Sequence, residues 1–205
     1  MWRRFIRSFV FALFGSVSAW NPTSYPFLPA STDVCKIREL VIIAQGTNKT
    51  ILDVGCGNGY STSSTHGSVG VDADKYKIKR AKELFPGKTF RLGVLSSLNP
   101  EEKYDVVTSM FYFHQIPRFL RRMIICSAIQ IATERVVIMD ISPEYNVPSE
   151  MFHKNPFLPD YMKNCRSDFK DFKETIIMDG VLNMWIYEPS VKTLRYKPFG
   201  KNPSV

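Results

Sequence analysis

Three shortages bound what this chain can be. It has four cysteines, Cys35, Cys56, Cys126 and Cys165, and no two of them stand at metal-ligand spacing or suggest a disulfide framework. Small buried thiols in a reducing compartment are the expectation. Long apolar runs are missing too: no stretch is long enough to span a bilayer, and there is neither an internal repeat nor a low-complexity segment. Acidic residues are absent from both ends. Of the formal net charge of +8, Arg3, Arg4 and Arg7 supply +3 over residues 1–19, and Lys192, Arg195, Lys197 and Lys201 supply +4 over 190–205. The body is left near +1, without the basic face that a dedicated nucleic-acid binder carries on its domain.

What is present divides 205 residues into one domain with two appendages. Residues 1–19 open on arginines, continue through the uncharged apolar Ser8–Ala19, and end on Val17-x-Ala19, a plausible cleavage point. That is the form of a signal or targeting leader. With Trp20 next, it resembles the two-part leaders that carry proteins into complex plastids. An amphipathic helix on a cytoplasmic enzyme, or a membrane-surface anchor, is the alternative. Residues 20–188 form the domain proper, and 189–205 a basic C-terminal tail.

Within the domain, hydrophobic periodicity alternates between two and three-to-four residues. Asp33 caps a helix carrying Val34, Ile37, Val41 and Ala44, stopped at Gly46. Strands are expected at 50–54, 68–72, 88–93, 104–110 and 135–141. Helices are expected over 74–85, from Pro117 with Leu120, Ile124 and Ile131 toward the core, and over 158–172. Residues 142–157 read as a long irregular connection, either a lid over a small apolar acceptor or a surface loop packed on itself. Strands at 174–179 and 181–188 flank Asp179-Gly180, a hairpin signal. This is an α/β pattern: seven strands in a mostly parallel sheet with an antiparallel C-terminal hairpin and helices on both faces.

The most informative stretch is Ile51-Leu52-Asp53-Val54-Gly55-Cys56-Gly57-Asn58-Gly59-Tyr60. A buried strand runs into three alternate glycines, and open α/β sheets bind nucleotides where a strand ends in such a turn. The turn is followed by Tyr60-Ser61-Thr62-Ser63-Ser64, a weak helix or a single turn. A dinucleotide fingerprint requires a third glycine where Tyr60 stands, so nicotinamide cofactors are disfavoured.

Asp53–Gly59 resembles the first motif of class I S-adenosylmethionine-dependent methyltransferases. Gly70-Val71-Asp72, Tyr104-Asp105-Val106-Val107 and Val136-Val137-Ile138-Met139-Asp140 follow in the order of that family's second, fourth and fifth strands. The resemblance covers residues 31–188 and implies a Rossmann-like fold with S-adenosyl-L-methionine as cofactor. Backbone N–H groups at Gly55, Gly57, Gly59 and a helix start would meet its carboxylate. Asp72, with Ala73 beside it, would accept the ribose hydroxyls, or cap the next helix, or both. Asp53 would pair with the ammonium through water, or only cap the turn. Leu95 would pack on adenine and Ser96 would hydrogen-bond it, or the backbone alone would read it; Met110 with Phe111 would line the pocket.

Two departures stand out. Asp53 and Asp72 are only 19 positions apart, which implies a stubby first crossover helix. Where an acid or amide usually reads the adenine amine, this chain has Gly93-Val94-Leu95-Ser96-Ser97.

The acceptor side lies after the fourth strand, at Tyr112 and His114. His114 would act as a base, orient the acceptor, or simply support the loop; Tyr112 would touch substrate or pack. No D/N-P-P-Y segment of the amino-methylating DNA enzymes follows this strand. Thr108 and Ser109 offer no carboxylate to pair with Asp140, so no metal is expected, and Asp140 would face the acceptor or cap its strand. Arg118, Arg121 and Arg122 read as a solvated face, with an acidic substrate or partner as the sharper option. The expected protein is a monomer that methylates a small molecule. A protein or RNA acceptor, or a module that only binds the cofactor, is the alternative.

Overall fold

Glycine turns, short β-branched runs and capped helices settle into one sheet in the computed structural model, which describes residues 33–46, 48–99 and 101–189. The leader over 1–19 and all of the basic tail beyond Pro189 lie outside the described residues. Seven strands form: β1 Ile51–Val54, β2 Val69–Asp72, β3 Phe90–Leu92, β4 Tyr104–Met110, β5 Ala132–Ile141, β6 Lys173–Met178 and β7 Leu182–Tyr187. Their order is β3-β2-β1-β4-β5-β7-β6. The first five are parallel, and β7 runs antiparallel to both β5 and β6. β1 and β2 are buried at every position, which is why they read as unbroken apolar runs. Chain order reverses direction at β1 and β4, so the crevice opens beyond the carboxyl ends of these two strands.

The helices start where their caps predict. Asp33 Oδ1 accepts the Lys36 N–H at the head of α1, Val34–Ile43. Asp74 Oδ1 accepts those of Tyr76 and Lys77 at the head of α2, Lys75–Leu84. Pro117 precedes α3, Arg118–Ile131. α4 is Ser149–Lys154 and α5 is Leu158–Asp168. No helix among the described residues is long and apolar enough to cross a membrane.

Five expectations need correction. The crossover from β1 to β2 holds no helix at all, not a stubby one: residues 55–68 are turns and extended chain. Ser61, Thr62 and Ser63 are buried there, and hydroxyl residues that find partners outside a helix have little reason to form one. Gly70 lets this segment lie flat on the sheet, since a Cβ at that position would come within 2.6 Å of Thr62 Oγ1. The connection over 142–157 contains the six-residue α4, anchored by the buried Met151. α5 ends at Asp168 rather than Phe172, because Phe169 and Phe172 turn into an aromatic cluster. Phe169 lies 4.8 Å from the Trp185 ring, and Phe172 5.4 Å from that of Tyr187.

The remaining two corrections concern α3. Its core face carries Arg121, Ile125, Ala128 and Ile131, so Ile124 packs only half-buried at the core's edge and Leu120 stays outside it. Arg121 is not on a solvated face: its side chain is 0% exposed and bonds Asp168 at 3.0 Å, Asp160 at 2.6 Å and the Ile116 carbonyl at 3.0 Å. Arg118 adds a second bond to Asp168, at 2.9 Å. These ion pairs lock α3 to α5.

Asp168 is as buried as its partner, at 1% exposed, so the pair stands or falls together. Arg121→Ala leaves a buried carboxylate without its main counter-charge and should cost about 3–5 kcal/mol. Arg118→Ala, at a half-exposed side chain, should cost under about 1 kcal/mol. Urea denaturation of the two variants checks the contrast.

Candidate functional site

The site is built on the turn after β1. Gly55 takes φ +73°, where a side chain is strained, and a Cβ there would sit 2.4 Å from the Tyr112 ring. The Gly57 N–H donates to Asp72 Oδ2 at 2.9 Å, while the space a Gly57 side chain would fill is open. Gly59, at φ +87°, packs against the Phe90 ring, which leaves no room for a side chain there.

Four polar side chains hold this turn in the helix's place. Asp53 is fully buried in β1, and its Oδ2 accepts the hydroxyls of Ser61 at 2.8 Å and Thr62 at 2.7 Å. Burial pushes its carboxyl above the usual carboxylate range, against the two hydroxyl bonds and the charges of Arg38 and Lys88. The Lys88 ammonium donates to the Gly59 carbonyl at 3.2 Å and lies over the Phe85 ring at 4.2 Å; desolvation pulls its pKa down. Cys56 is a buried thiol whose pKa burial raises.

Asp53 Oδ1 has no hydrogen-bond partner among the described residues. Nor has the buried hydroxyl of Thr108, the residue paired with Asp53 across β1 and β4. Arg38 of α1 lies over the Phe111 ring at 5.0 Å, close enough for its charge to act on Asp53.

At the end of β2, Asp72 uses both oxygens: Oδ1 accepts the Asp74 N–H at 2.9 Å and Oδ2 that of Gly57. A cavity of about 100 Å³ opens beside it. Gly55, Asp72 and Ala73 form one wall, Gly93–Ser96 the β3 end, and Tyr112 with Leu120, Met123, Ile124 and Ser127 the other side. Of the residues expected to bind a cofactor, Gly55, Asp72, Ala73 and Leu95 thus meet at one cavity. Asp53, Gly57 and Gly59 shape the turn beside it, and Met110 lies buried in the core cluster.

The two acceptor-side residues part company. Phe111, at φ +58°, is the only non-glycine residue with positive φ among those described. This turns Tyr112 over Gly55, while His114 sinks into the protein on the following tight turn. His114 is 1% exposed, with Nδ1 at 2.6 Å from Asp140 Oδ1 and its N–H bonded to Asp140 Oδ2. Asp140, expected to face an acceptor or cap its strand, also accepts the Ile141 N–H. Neither His114 nor Asp140 lines the cavity. Burial, and then the charge of Asp72, raises the Tyr112 phenol above its ordinary value.

The α3 wall was not legible as binding surface, because Leu120 and Ile124 look like core in the sequence. The one available signal was Met123, an apolar residue off the core face. Lys88 and Arg38 gave no signal beyond single basic residues.

A family model described as a methyltransferase domain matches residues 51–131. The 235L protein of Invertebrate iridescent virus 6, named as a methyltransferase, is 35% identical over 109 residues. That match spans 50% of this chain and 41% of the viral protein, so the chain covers less than half the length of this relative. Among solved structures, magnesium protoporphyrin IX methyltransferase of Synechocystis PCC 6803 with bound S-adenosylhomocysteine is similar, at a TM-score of 0.58 and 15% identity, over 92% of this chain and 97% of that one. A TehB-like S-adenosylmethionine-dependent methyltransferase of Corynebacterium glutamicum gives 0.55 and 17%, over 78% and 91%. At these identities the two structures speak for the fold, and the sequence matches speak for a methyltransferase domain over part of the chain. Residues 51–131 thus match a methyltransferase domain, and the fold is that of S-adenosylmethionine-dependent methyltransferases.

Proposed function

We propose that this protein transfers a methyl group from S-adenosylmethionine to a small, largely apolar acceptor. The observation that carries the reading is the meeting of the glycine turn and the β2 acid at one cavity, joined by the Gly57–Asp72 bond. The residues fit the cofactor. Asp72 keeps lone pairs beyond its two N–H bonds and would accept the ribose hydroxyls. The N–H groups of Gly55, Gly57 and Gly59 already bond the Val71 carbonyl, Asp72 and the Cys56 carbonyl, so the carboxylate would be met by the charges of Arg38 and Lys88 or by the turn's other N–H groups. The unpartnered oxygen of Asp53, beside the Thr108 hydroxyl, suits the ammonium directly or through water. Leu95, Leu120, Met123 and Ile124 offer apolar contact to the adenine.

When bound, the cofactor supplies a methyl group on a good leaving group, so positioning accounts for most of the acceleration. Tyr112 stays a neutral phenol at physiological pH because its pKa is raised. It serves as a wall or a hydrogen-bond donor, not as a base. His114 is a positioning residue: with Asp140 it holds the turn that presents Tyr112. The cavity of about 100 Å³ is smaller than the roughly 300–1,000 Å³ of small-molecule sites. Tyr112, half-buried over Gly55, is the wall best placed to yield.

Incubating the full chain with labelled cofactor and a metabolite extract, followed by mass identification of the product, tests the acceptor class. Labelled small-molecule product supports the reading, and label found only on protein or RNA overturns it. Removing residues 190–205 should leave small-molecule turnover unchanged.

Asp72→Ala should weaken S-adenosylmethionine binding about 10- to 100-fold, the loss of a charge-assisted pair of hydrogen bonds. Calorimetry measures it, and undiminished binding would remove the ribose assignment. Asp53 yields a prediction about pH. Its carboxyl is raised in the folded state, so the protonated form favours folding. Stability is full below the unfolded value near 3.8 and falls as pH rises through the folded value. Asp53→Asn mimics the protonated form. It should be more stable than wild type at pH 7, with the difference vanishing toward pH 4 in urea titrations.

A further inference from the structure

We infer that the base end of the cavity holds the purine by shape and leaves its 6-position open, so that cofactors with an apolar group there are accepted. This rests on the reading above that the cavity binds S-adenosylmethionine. Asp72 and Ala73 mark the ribose, which puts the purine between Gly93–Ser96 and the α3 residues Leu120, Met123 and Ile124.

Among the described lining residues, Asp72 is the only carboxylate. The polar side chains nearest the base end are those of Ser96 and Ser127. A hydroxyl both donates and accepts, so it does not tell a 6-amino from a 6-keto group. The main chain of Val94 is also engaged. Ser97 Oγ accepts the Val94 N–H at 3.2 Å and donates to the Val94 carbonyl at 2.6 Å. Both main-chain groups of Val94 are thus used to close their own turn.

The rim then shows what lies beyond the ring. Val94 is 47% exposed and Met123 52% exposed, and both line the cavity. Phe119, one turn before Met123 on α3, is 64% exposed. A substituent leaving the 6-position would run out over these apolar side chains and not into a wall. Selectivity for the 6-amino group is therefore weak here.

Calorimetry of the full chain with S-adenosylhomocysteine, its N6-benzyl analogue and its 6-keto analogue tests this. Both analogues should bind within about fivefold of the parent, as expected where shape alone discriminates. A loss above about 100-fold for either analogue, with the parent still bound, overturns the inference and leaves the proposed function standing. Failure of all three to bind overturns both. Ser96 is exposed, so Ser96→Asp should fold normally and place a carboxylate at the base end. It should gain about a tenfold preference for the 6-amino over the 6-keto ligand, the worth of one charge-assisted hydrogen bond. If that variant stays indifferent while binding the parent, the base does not lie at this end of the cavity, and the inference falls.

Discussion

The bond from the Gly57 N–H to Asp72 joins two elements that the chain keeps far apart in every other respect. One is the turn leaving β1, the other the carboxyl end of β2, and between them runs a segment without a helix. In a parallel sheet a crossover helix usually covers the face and presents its N-terminal N–H groups to an anion. Here the turn must be held by other means. Asp53 takes two hydroxyls from residues 61 and 62, Lys88 takes the Gly59 carbonyl, and Asp72 takes the Gly57 N–H. Side-chain bonds have replaced main-chain ones. The N–H groups of Gly55, Gly57 and Gly59 are spent within the protein, on the Val71 carbonyl, Asp72 and the Cys56 carbonyl, and no helix dipole stands behind the turn, so for a cofactor carboxylate the nearby positive charges of Lys88 and Arg38 gain weight.

This replacement explains an otherwise costly arrangement. A fully buried carboxylate is unfavourable unless it is well bonded, and Asp53 has one oxygen satisfied twice and the other not at all among the described residues. A purely structural clamp would use both oxygens. Leaving one unpartnered, next to an unpartnered Thr108 hydroxyl, makes sense where a polar ligand group completes the set. The raised pKa of Asp53 fits a site built for a visitor, since burial outweighs the two hydroxyl bonds that now hold it.

Much of the fold was legible because local signals and tertiary demands agree. Asp33, Asp74 and Pro117 mark helix starts that occur; Asp179-Gly180 marks a hairpin that occurs, with Gly180 at φ +63°. The acid of β2 and the glycine turn were readable for the same reason: few other arrangements tolerate three glycines between two buried strands. What escaped was set by contacts between distant residues. Nothing near Arg121 announces that Asp160 and Asp168, some forty residues on, will bury it. Leu120 and Ile124 fit a helical core stripe as well as Ile125 and Ala128 do, and only the placement of β3's loop decides which face meets the cavity. The serines after Tyr60 suggested a weak helix because their partner, Asp53, lies behind them in the chain, not ahead.

The acceptor side shows the same logic at higher cost. Phe111 adopts a left-handed conformation that a bulky residue avoids, worth about 1–2 kcal/mol of strain. The strain persists because the surroundings over-determine it. The Phe111 N–H bonds the Met139 carbonyl, Gln115 bonds its carbonyl, its ring is buried beneath Arg38, and Asp140 grips His114 three residues later. A relaxed backbone would carry Tyr112 away from Gly55 and open the cavity permanently. The strained one sets a half-buried ring over Gly55 at the cavity, packed at the edge of the core. With Phe111 and His114 both buried and bonded, Tyr112 is the half-buried ring of this segment and the one that would give way if a ligand entered. That division suits methyl transfer, where excluding water and fixing the line of attack matter more than any acid or base.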